Sequence, residues 1–268
     1  MLSRMTDPAD ARTPPGDQFV QSLARGLSVI TAFDADHPAM TLSDIAARTG
    51  LSRATARRFL HTLVELGYVR FDGKQFALTP QVLRLGTAYL SGLGLPQIAQ
   101  PHLEQLSARL GESTSAAVLD GDEIVYVARV ATRRIMTVGI TVGTRFPAYA
   151  TSMGRVLLAG LPAQELDDYL ARADLAPLTG RTLHDAATLR AELDRVHAQG
   201  WALVDQELEA GLRSVAAPLR DGEDRVVAAV NVSTSAQLQP ELPEAYVDAV
   251  VAAARAISAD LASSGLRV

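Results

Sequence analysis

The stretch that decides the fold of the N-terminal part of this chain runs from Thr41 to Leu63 and has the sequence TLSDIAARTGLSRATARRFLHTL. Thr41 can cap a first helix, and Asp44, three residues later, completes an acidic variant of the capping box. Gly50 supplies the left-handed residue that commonly ends a helix. Ser52 can then cap a second helix. The stretch therefore predicts two helices joined by a tight turn.

The second predicted helix separates apolar and basic residues onto opposite faces. Its apolar residues recur at helical spacing, which predicts one buried stripe made of Ala56, Phe59, Leu60 and Leu63. The opposite arc carries basic residues around one small residue, namely Arg53, Ala54, Arg57, Arg58 and His61. This arrangement suits a helix that enters the major groove of DNA, where guanidinium groups bind guanine edges or phosphates. A helical hairpin with a solvated basic face is the alternative.

A short β-ribbon is predicted directly after the second helix. Strands over Tyr68–Phe71 and Lys74–Leu78 flank Asp72-Gly73, a dipeptide typical of two-residue hairpin turns. The inner face of the ribbon would carry Val69, Phe76 and Leu78. A ribbon in this position is a wing, and Lys74, the single lysine of the chain, would reach a DNA phosphate from its tip. The predicted DNA contacts are Thr41, Ser52, Arg53, Ala54, Thr55, Arg57, Arg58, His61 and Lys74.

Net charge divides the sequence into a basic head and an acidic body. The 268-residue chain carries a net charge of −5, which taken alone argues against a nucleic-acid partner. Residues 19–84, however, carry a net charge of +3, and the residues from Leu85 onward carry −7. This distribution confines positive potential to the N-terminal surface, where double-stranded DNA is the expected partner.

Composition excludes several classes of protein. The sequence has no cysteine, so disulfides, thiolate metal ligands and cysteine nucleophiles are excluded. No apolar run approaches the ~20 residues of a membrane span, so no membrane partner is expected. Residues 1–18 contain Pro14-Pro15-Gly16 and no apolar core, which indicates a disordered tail and not a signal peptide. We therefore expect a cytoplasmic protein.

Helices are predicted on both sides of the winged segment. The helix Gln18–Phe33 carries an apolar face that should pack under the helix-turn-helix, made of Val20, Leu23, Leu27 and Ile30. After the wing, Gln81–Ser91 and Gln97–Leu110 predict a connector that either forms a dimer contact or packs on a second domain. The expected organisation is a DNA-binding domain over residues 19–79, a connector over 80–112 and a second domain over 113–268.

The second domain mixes strands and helices in an irregular order. Strands are predicted at Ala116–Leu119, Glu123–Val130, Ile135–Val142, Trp201–Asp205, Ser214–Leu219 and Val226–Ser233. Helices are predicted at Gly154–Ala159, Pro162–Ala171, Asp185–Gln199 and Pro243–Leu261. Short hairpin turns between strands favour an α+β domain with a mainly antiparallel sheet over a doubly wound one.

Four stretches together resemble the IclR family of transcriptional regulators. They are SLARGLSVITAF (22–33), the helix-turn-helix with its wing, AYATSMGRVLLAG (148–160), and VDQELEAGLRSVAAPLRD (204–221) followed by VVAAVNVSTS (226–235). SRATARRFLHTLVELGYV and TSMGRVLLA look closest to the branch that controls aromatic-acid and β-ketoadipate catabolism. The resemblance implies an N-terminal winged helix-turn-helix and a C-terminal effector-binding domain of GAF-like fold. It also implies a homodimer or homotetramer on operator DNA and a small organic acid as effector.

The resemblance also implies an effector pocket in the second domain. Carried over by motif, its lining would be Phe146, Ser152, Met153, Leu212, Ser214, Asn231 and Ser233. The helix amides that follow Thr151 would direct a positive dipole at an anion, and the serines and Asn231 would offer neutral donors. Each pocket residue also has a structural alternative as a helix cap, a core residue or a strand end.

Two carboxylates one residue apart, Asp205 and Glu207, would share one face of a strand. They could line the pocket or pair with Arg213. Pairing is favoured, because two carboxylates in the pocket would repel an acidic ligand.

Nothing in the sequence nominates an active site, so no enzyme, cofactor or metal is expected. The five histidines are scattered, with no HExxH motif and no pair at metal-ligand spacing, and GxSxG is absent. The alternatives to a DNA-binding regulator are an enzyme that binds a small acid and a module that uses the winged domain for protein contact.

Overall fold

The computed structural model describes residues 19–86, 94–132, 140–237 and 244–264. The chain divides into two compact units at the boundary between Ala88 and Tyr89. The tail predicted over residues 1–18 lies outside the described residues, as does the part of the predicted helix Gln81–Ser91 beyond residue 86.

The first unit is a winged helix-turn-helix. Its helices are α1 (Gln21–Thr31), α2 (Leu42–Thr49) and α3 (Arg53–Glu65), and its strands are β1 (Ala39–Met40), β2 (Val69–Phe71) and β3 (Phe76–Leu78). The strands form an antiparallel sheet in the order β1-β3-β2. Strand β1 was not predicted, because two residues are too short to produce an alternating pattern. After the wing, a 3-10 turn over Pro80–Val82 continues into helical residues 83–86.

The predicted caps of the helix-turn-helix are confirmed. Thr41 Oγ1 accepts a hydrogen bond from the Asp44 amide, and the Asp44 carboxylate accepts one from the Thr41 amide at 3.0 Å. Gly50 has a φ of 65°, the left-handed conformation that ends α2. Ser52 Oγ accepts from the Thr55 amide at 3.2 Å and caps α3. Local capping chemistry therefore fixes the bounds of both helices.

The buried stripe of α3 is confirmed, and it packs on the wing. The core of this unit contains Val29, Met40, Ile45, Leu60, Leu63, Val69 and Phe76, with Phe59 half-buried beside it. The turn of the wing differs from the prediction by one residue. Asp72 N donates to Gln75 O, and Gly73 has a φ of 99°, so Gly73 and Lys74 form the middle of the turn. The carboxylate of Asp72 accepts hydrogen bonds from the amides of Lys74 and Gln75 and fixes this register.

The predicted burial of α1 is largely wrong. Only its C-terminal part packs on the helix-turn-helix core, through Val29 and the half-buried Ile30. The other apolar residues expected there are exposed by half or more, namely Val20, Leu23 and Leu27, and Phe19 joins them. The apolar residues of α1 do recur at helical spacing, but α2 and α3 pack against each other and against the wing. They leave this stripe of α1 without a partner in the described part of the chain.

The second unit contains a six-stranded antiparallel sheet. Its strands are β4 (Ser113–Asp120), β5 (Glu123–Val130), β6 (Arg145–Pro147), β7 (Ala202–Asp205), β8 (Leu212–Arg220) and β9 (Val226–Ser235). Its helices are α4 (Leu95–Leu110), α5 (Ser152–Ala159), α6 (Ala163–Arg172), α7 (Ala186–Gln199) and α8 (Glu244–Ser264). The strand order is β6-β5-β4-β9-β8-β7 and every pairing is antiparallel. The predicted α+β class with a mainly antiparallel sheet is therefore confirmed.

One predicted strand is not found as expected. Most of Ile135–Val142 lies outside the described residues, and residues 140–142 are not part of a strand. Among the described residues, β5 pairs with β4 and with the short β6, where Phe146 lies opposite Ile124. None of the helices among the described residues is long and apolar enough to cross a membrane.

Each face of the sheet is covered by its own set of helices. Helices α4 and α8 cover one face with an apolar cluster that includes Leu95, Leu103, Val118, Val230 and Ile257. Helix α4, part of the predicted connector, thus packs onto the sheet of the second unit. Helices α5 and α7 cover the other face with a cluster that includes Ala117, Ile124, Met153, Leu158 and Leu193. Side-chain alternation along β9 places Ala229 and Asn231 on this second face.

Candidate DNA-contact surface and effector cavity

The outer surface of α3 carries the predicted basic arc. The side chains of Arg53, Arg57, Arg58 and His61 are all exposed, and Ala54 between them is exposed as well. Arg57 Nε lies 3.5 Å from His61 Nε2, one helical turn away. Within the described residues no carboxylate forms an ion pair with these three arginines. Their charge is therefore available to an external anion.

A groove between α1 and α3 extends this basic surface. It has a volume of about 260 Å³, and its walls include Arg25 from α1 and Arg58 and Thr55 from α3. Arg25 was not among the predicted DNA contacts. Its position in SLARGLSVITAF carried no helix-turn-helix signal, and only the packing of α1 against α3 brings it beside Arg58.

The remaining predicted DNA contacts lie at the ends of the same elements. The Thr41 hydroxyl is engaged in the α2 cap, 2.7 Å from the Asp44 carboxylate. The hydroxyls of Ser52 and Thr55 lie 2.9 Å apart at the start of α3. Lys74 is exposed in the wing turn. All four remain predicted DNA contacts. Thr41 and Ser52 also cap helices.

A small cavity lies in the second unit, between the sheet and the start of α5. Six of the seven predicted effector residues line it, namely Ser152, Met153, Leu212, Ser214, Asn231 and Ser233. The predicted Phe146 does not line it. Its ring packs edge-on against Tyr126, with 5.9 Å between ring centroids, and Tyr126 lines the cavity in its place. The lining is completed by Ile140, Ala150, Thr151, Val204 and Leu208. All of these except Ile140 lie in the quoted motifs, but spacing alone did not select them.

Four polar side chains of the cavity form two hydrogen-bonded pairs. Ser152 and Ser214 share a hydrogen bond of 2.8 Å that joins α5 to β8. Asn231 Nδ2 donates to Ser233 Oγ at 3.1 Å along β9. The carbonyl oxygen Oδ1 of Asn231 is buried and has no hydrogen-bond partner within the described residues. Asn231 thus presents an acceptor to the cavity, where the sequence suggested a donor.

Helix α5 is held tightly where it meets the cavity. Thr151 Oγ1 caps it by accepting from the Gly154 amide at 3.0 Å. A Cβ at Gly154 would overlap the backbone of Ala148, so only glycine allows this close approach. This close packing of α5 against Ala148 places its first residues, Ser152 and Met153, in the lining of the cavity.

The two carboxylates of the VDQEL stretch are both paired with arginine. Asp205 accepts from Arg213 Nε at 2.8 Å, which holds the pKa of that carboxyl below its usual range. Glu207 points elsewhere, because Gln206 between them has a φ of 62° and turns the chain. The expected pairing of Asp205 with Arg213 is confirmed, and the expected common face is wrong.

Glu207 forms a buried ion pair with Arg155 of α5. Arg155 Nη1 donates to Glu207 Oε1 at 2.9 Å, and its Nε donates to the Tyr149 carbonyl at 3.0 Å. The Leu183 amide also donates to the Glu207 carboxylate. The Arg155 side chain is 2% exposed. This network fixes α5 to the segment that follows β7.

The cavity is nearly closed in this structure. The space open to the centre of a water-sized sphere is about 10 Å³, close to the minimum that holds one water molecule. A larger ligand therefore requires its walls to move apart. No group of three or more potential metal ligands occurs among the described residues.

A basic recognition helix with a wing, and a separate α+β unit with a closed, largely apolar cavity that contains a few polar groups, together define an effector-responsive DNA-binding protein. The chain matches the family described as IclR helix-turn-helix domain over residues 22–73 and that described as Bacterial transcriptional regulator IclR C-terminal over residues 87–259. The chain therefore belongs to the IclR family of transcriptional regulators, which bind DNA under the control of an effector.

Similar proteins include regulators and solved structures of this family. The Pca regulon regulatory protein of Pseudomonas putida is 49% identical over 240 residues, which cover 88% of this chain and 82% of that protein. A crystallised chain from Rhodococcus sp. RHA1 is 56% identical, with a TM-score of 0.82 over 92% of this chain and all of that one. An IclR homolog from Microbacterium hydrocarbonoxydans, complexed with 4-hydroxybenzoate, is 29% identical, with a TM-score of 0.82 over 90% of this chain and 99% of that one.

Proposed function

We propose that the operator affinity of this regulator is set by an aromatic carboxylic acid of the 4-hydroxybenzoate class, bound in the cavity beside α5. The observation that carries the proposal is the buried, unpartnered Oδ1 of Asn231. A buried acceptor without a donor is unfavourable, and a ligand hydroxyl would satisfy it. Apolar walls from Tyr126, Ile140 and Leu208 suit an aromatic ring.

The relatives support the same class of ligand. The Microbacterium hydrocarbonoxydans homolog was crystallised with 4-hydroxybenzoate, and the Pseudomonas putida relative is named for the Pca regulon. The chain acts as a regulator and not as an enzyme, because its relatives are named for regulation and the polar side chains that line its cavity are all hydroxyls and one amide. Its place of action is the cytoplasm, where operator DNA is.

Calorimetric titration of the full chain with 4-hydroxybenzoate tests this function. We expect saturable binding of one ligand per chain, and stabilisation of about 2.7 kcal/mol at a ligand concentration 100 times the dissociation constant. Operator affinity should change in the same concentration range. Succinate serves as the control acid, because it carries no ring for the apolar walls. Absence of heat with 4-hydroxybenzoate, or equal binding of succinate, would contradict the proposed ligand class.

We further propose that two copies of the chain associate through the exposed apolar face of α1, made of Val20, Leu23 and Leu27. These side chains are 50–63% exposed and lie on one side of the helix. A helix-turn-helix protein that reads two half-sites about 34 Å apart requires two recognition helices. An apolar stripe on the DNA-binding unit is where such a second copy would bury surface. A tetramer would need a further contact on another surface.

The expected effect of the double substitution Leu23→Asp and Leu27→Asp is a monomer, because two carboxylates would be buried without partners in the contact. Sedimentation equilibrium measures the mass, and operator binding should weaken in parallel. Leu66→Asp is the matched control, since Leu66 is equally exposed at the end of α3. A dimer that persists in the double variant would refute this face as the contact.

A further inference from the structure

Arg129 of β5 lies on the cavity face of the sheet, outside every set of residues assigned above. It pairs in register with Ser115 of β4, and Ser115 pairs in turn with Asn231 of β9. Residues directly opposite in antiparallel strands project their side chains to the same face. Arg129, Ser115 and Asn231 therefore form one row across three strands, and Asn231 lines the cavity.

The guanidinium group of Arg129 extends along this row towards Asn231. Arg129 Nη1 donates to Ser115 Oγ at 3.0 Å, so the group lies over β4. Its charge also acts on Tyr126, a residue of the cavity lining whose hydroxyl has its pKa raised to about 12 by burial. Tyr126 therefore stays protonated at neutral pH, and Arg129 is the cationic group beside this end of the cavity.

Arg129, which is half-buried, differs from the buried arginines of this unit because it has no carboxylate partner among the described residues. Arg155 pairs with Glu207 and Arg213 pairs with Asp205. Arg129 Nε is buried without a hydrogen-bond partner, and no described carboxylate lies within ion-pair distance of the group. Burial lowers the pKa of Arg129 from its usual value, yet a guanidinium stays charged in proteins. An unpaired, partly buried cation is unfavourable unless an anion joins it.

We propose that Arg129 binds the carboxylate of the effector. The inference rests on the proposed function of the same cavity and adds the group that recognises the acid. With Nη1 held by Ser115, the edge formed by Nε and Nη2 faces no other partner among the described residues. Such an edge binds a carboxylate through two parallel hydrogen bonds. Asn231 Oδ1, two strands away, is then placed for a hydroxyl at the other end of the ligand.

Nearby acids do not compete for this role. The carboxylates of Asp205 and Glu207 each already bind arginine. The hydroxyls of Ser152 and Ser214 bind each other. An incoming monocarboxylate would therefore meet one free cation beside the cavity, and the described lining of the cavity contains no carboxylate.

The test compares Arg129→Gln with the unmodified full chain, using 4-hydroxybenzoate and its neutral analogue 4-hydroxybenzamide. We expect Arg129→Gln to bind the acid about 10- to 100-fold more weakly, the loss typical of a hydrogen bond to a charged group. Binding of the amide should change by less than about threefold. Arg129→Lys keeps the charge but not the bidentate edge. Its affinity for the acid should therefore lie between those of the unmodified chain and Arg129→Gln. Arg145→Gln is the control, because Arg145 of β6 already pairs with Asp120 of β4 and Glu123 of β5.

The outcomes separate this inference from the proposed function. If the unmodified chain binds 4-hydroxybenzoate and Arg129→Gln binds it equally well, Arg129 is not the anchor, although the ligand class stands. Equal losses for the acid and the amide would also overturn the assignment, since they would indicate a general distortion of the cavity. If the unmodified chain binds the amide as tightly as the acid, both the anchor and the acidic ligand class are wrong. Thermal unfolding of both Arg129 variants without ligand should match the unmodified chain, because Arg129 forms no ion pair with the described residues.

Discussion

Replacing Arg155 by alanine is expected to lower the free energy of unfolding by about 3–5 kcal/mol, the cost of leaving one charge of a buried pair without its partner. Arg155 is among the largest fully buried side chains of the chain. Its removal leaves the Glu207 carboxylate buried, and among the described residues only the Leu183 amide would still bind it. Urea unfolding monitored by circular dichroism measures the change.

The Arg155 prediction has a matched control on the same unit. Arg172 forms an ion pair with Asp122 at 2.9 Å, but both side chains are about half exposed. Arg172→Ala should therefore cost no more than about 1 kcal/mol. Equal losses in the two variants would show that the Arg155–Glu207 pair does not hold α5 in place. A double variant with Glu207→Gln should recover part of the Arg155→Ala loss, because it removes the stranded charge.

Replacing Arg57 by alanine is expected to weaken operator binding by about 1–3 kcal/mol, if its guanidinium group binds a base edge. The triple replacement of Arg53, Arg57 and Arg58 should abolish specific binding within the measurable range. All three side chains are exposed, so each substitution should change the stability of the fold by less than about 0.5 kcal/mol. Fluorescence anisotropy with an operator selected from a random duplex library measures the affinity.

Arg109 supplies the control for this series. It is an exposed arginine near the end of α4 in the second unit, and Arg109→Ala should leave operator affinity unchanged. If Arg109→Ala and Arg57→Ala weaken binding equally, net charge and not the α3 surface would determine affinity. If Arg57→Ala has no effect, the exposed arc of α3 is not the surface that contacts DNA.

Local signals in the sequence were sufficient to predict the two helices of the helix-turn-helix and the turn between them. Thr41, Asp44, Gly50 and Ser52 each satisfy a backbone group within a few residues of themselves, so their roles could be predicted without knowledge of the fold. The burial of α1 could not. Its apolar spacing is compatible with either a core or an exposed contact, and the outcome depends on how α2 and α3 pack.

The lining of the cavity beside α5 was predicted in part, and the differences have a physical cause. Motif resemblance selected six lining residues because they lie within recognisable stretches. Tyr126 lines the cavity where Phe146 was expected, and it packs against Phe146 from the neighbouring strand. Arg129 was missed because its significance depends on register across three strands and on the absence of a partner carboxylate in the described residues. Neither property can be inferred from spacing along one chain.

The ion pairs of the second unit also could not be predicted from spacing along the chain. The alternation rule placed Asp205 and Glu207 on one face. The left-handed conformation of Gln206 sends the two side chains to different arginines. A single non-glycine residue with positive φ therefore separates two groups that the sequence placed together.

The salt dependence of operator binding is the most direct test of the central claim, which is that the basic surface of α3 and the wing binds the DNA backbone and grooves. The logarithm of the association constant should fall linearly with the logarithm of salt concentration, with a slope of about −0.9 for each phosphate contacted. Lys74→Ala should make that slope shallower by about one unit. An affinity that does not change with salt, in the unmodified chain and in the variant alike, would contradict the account.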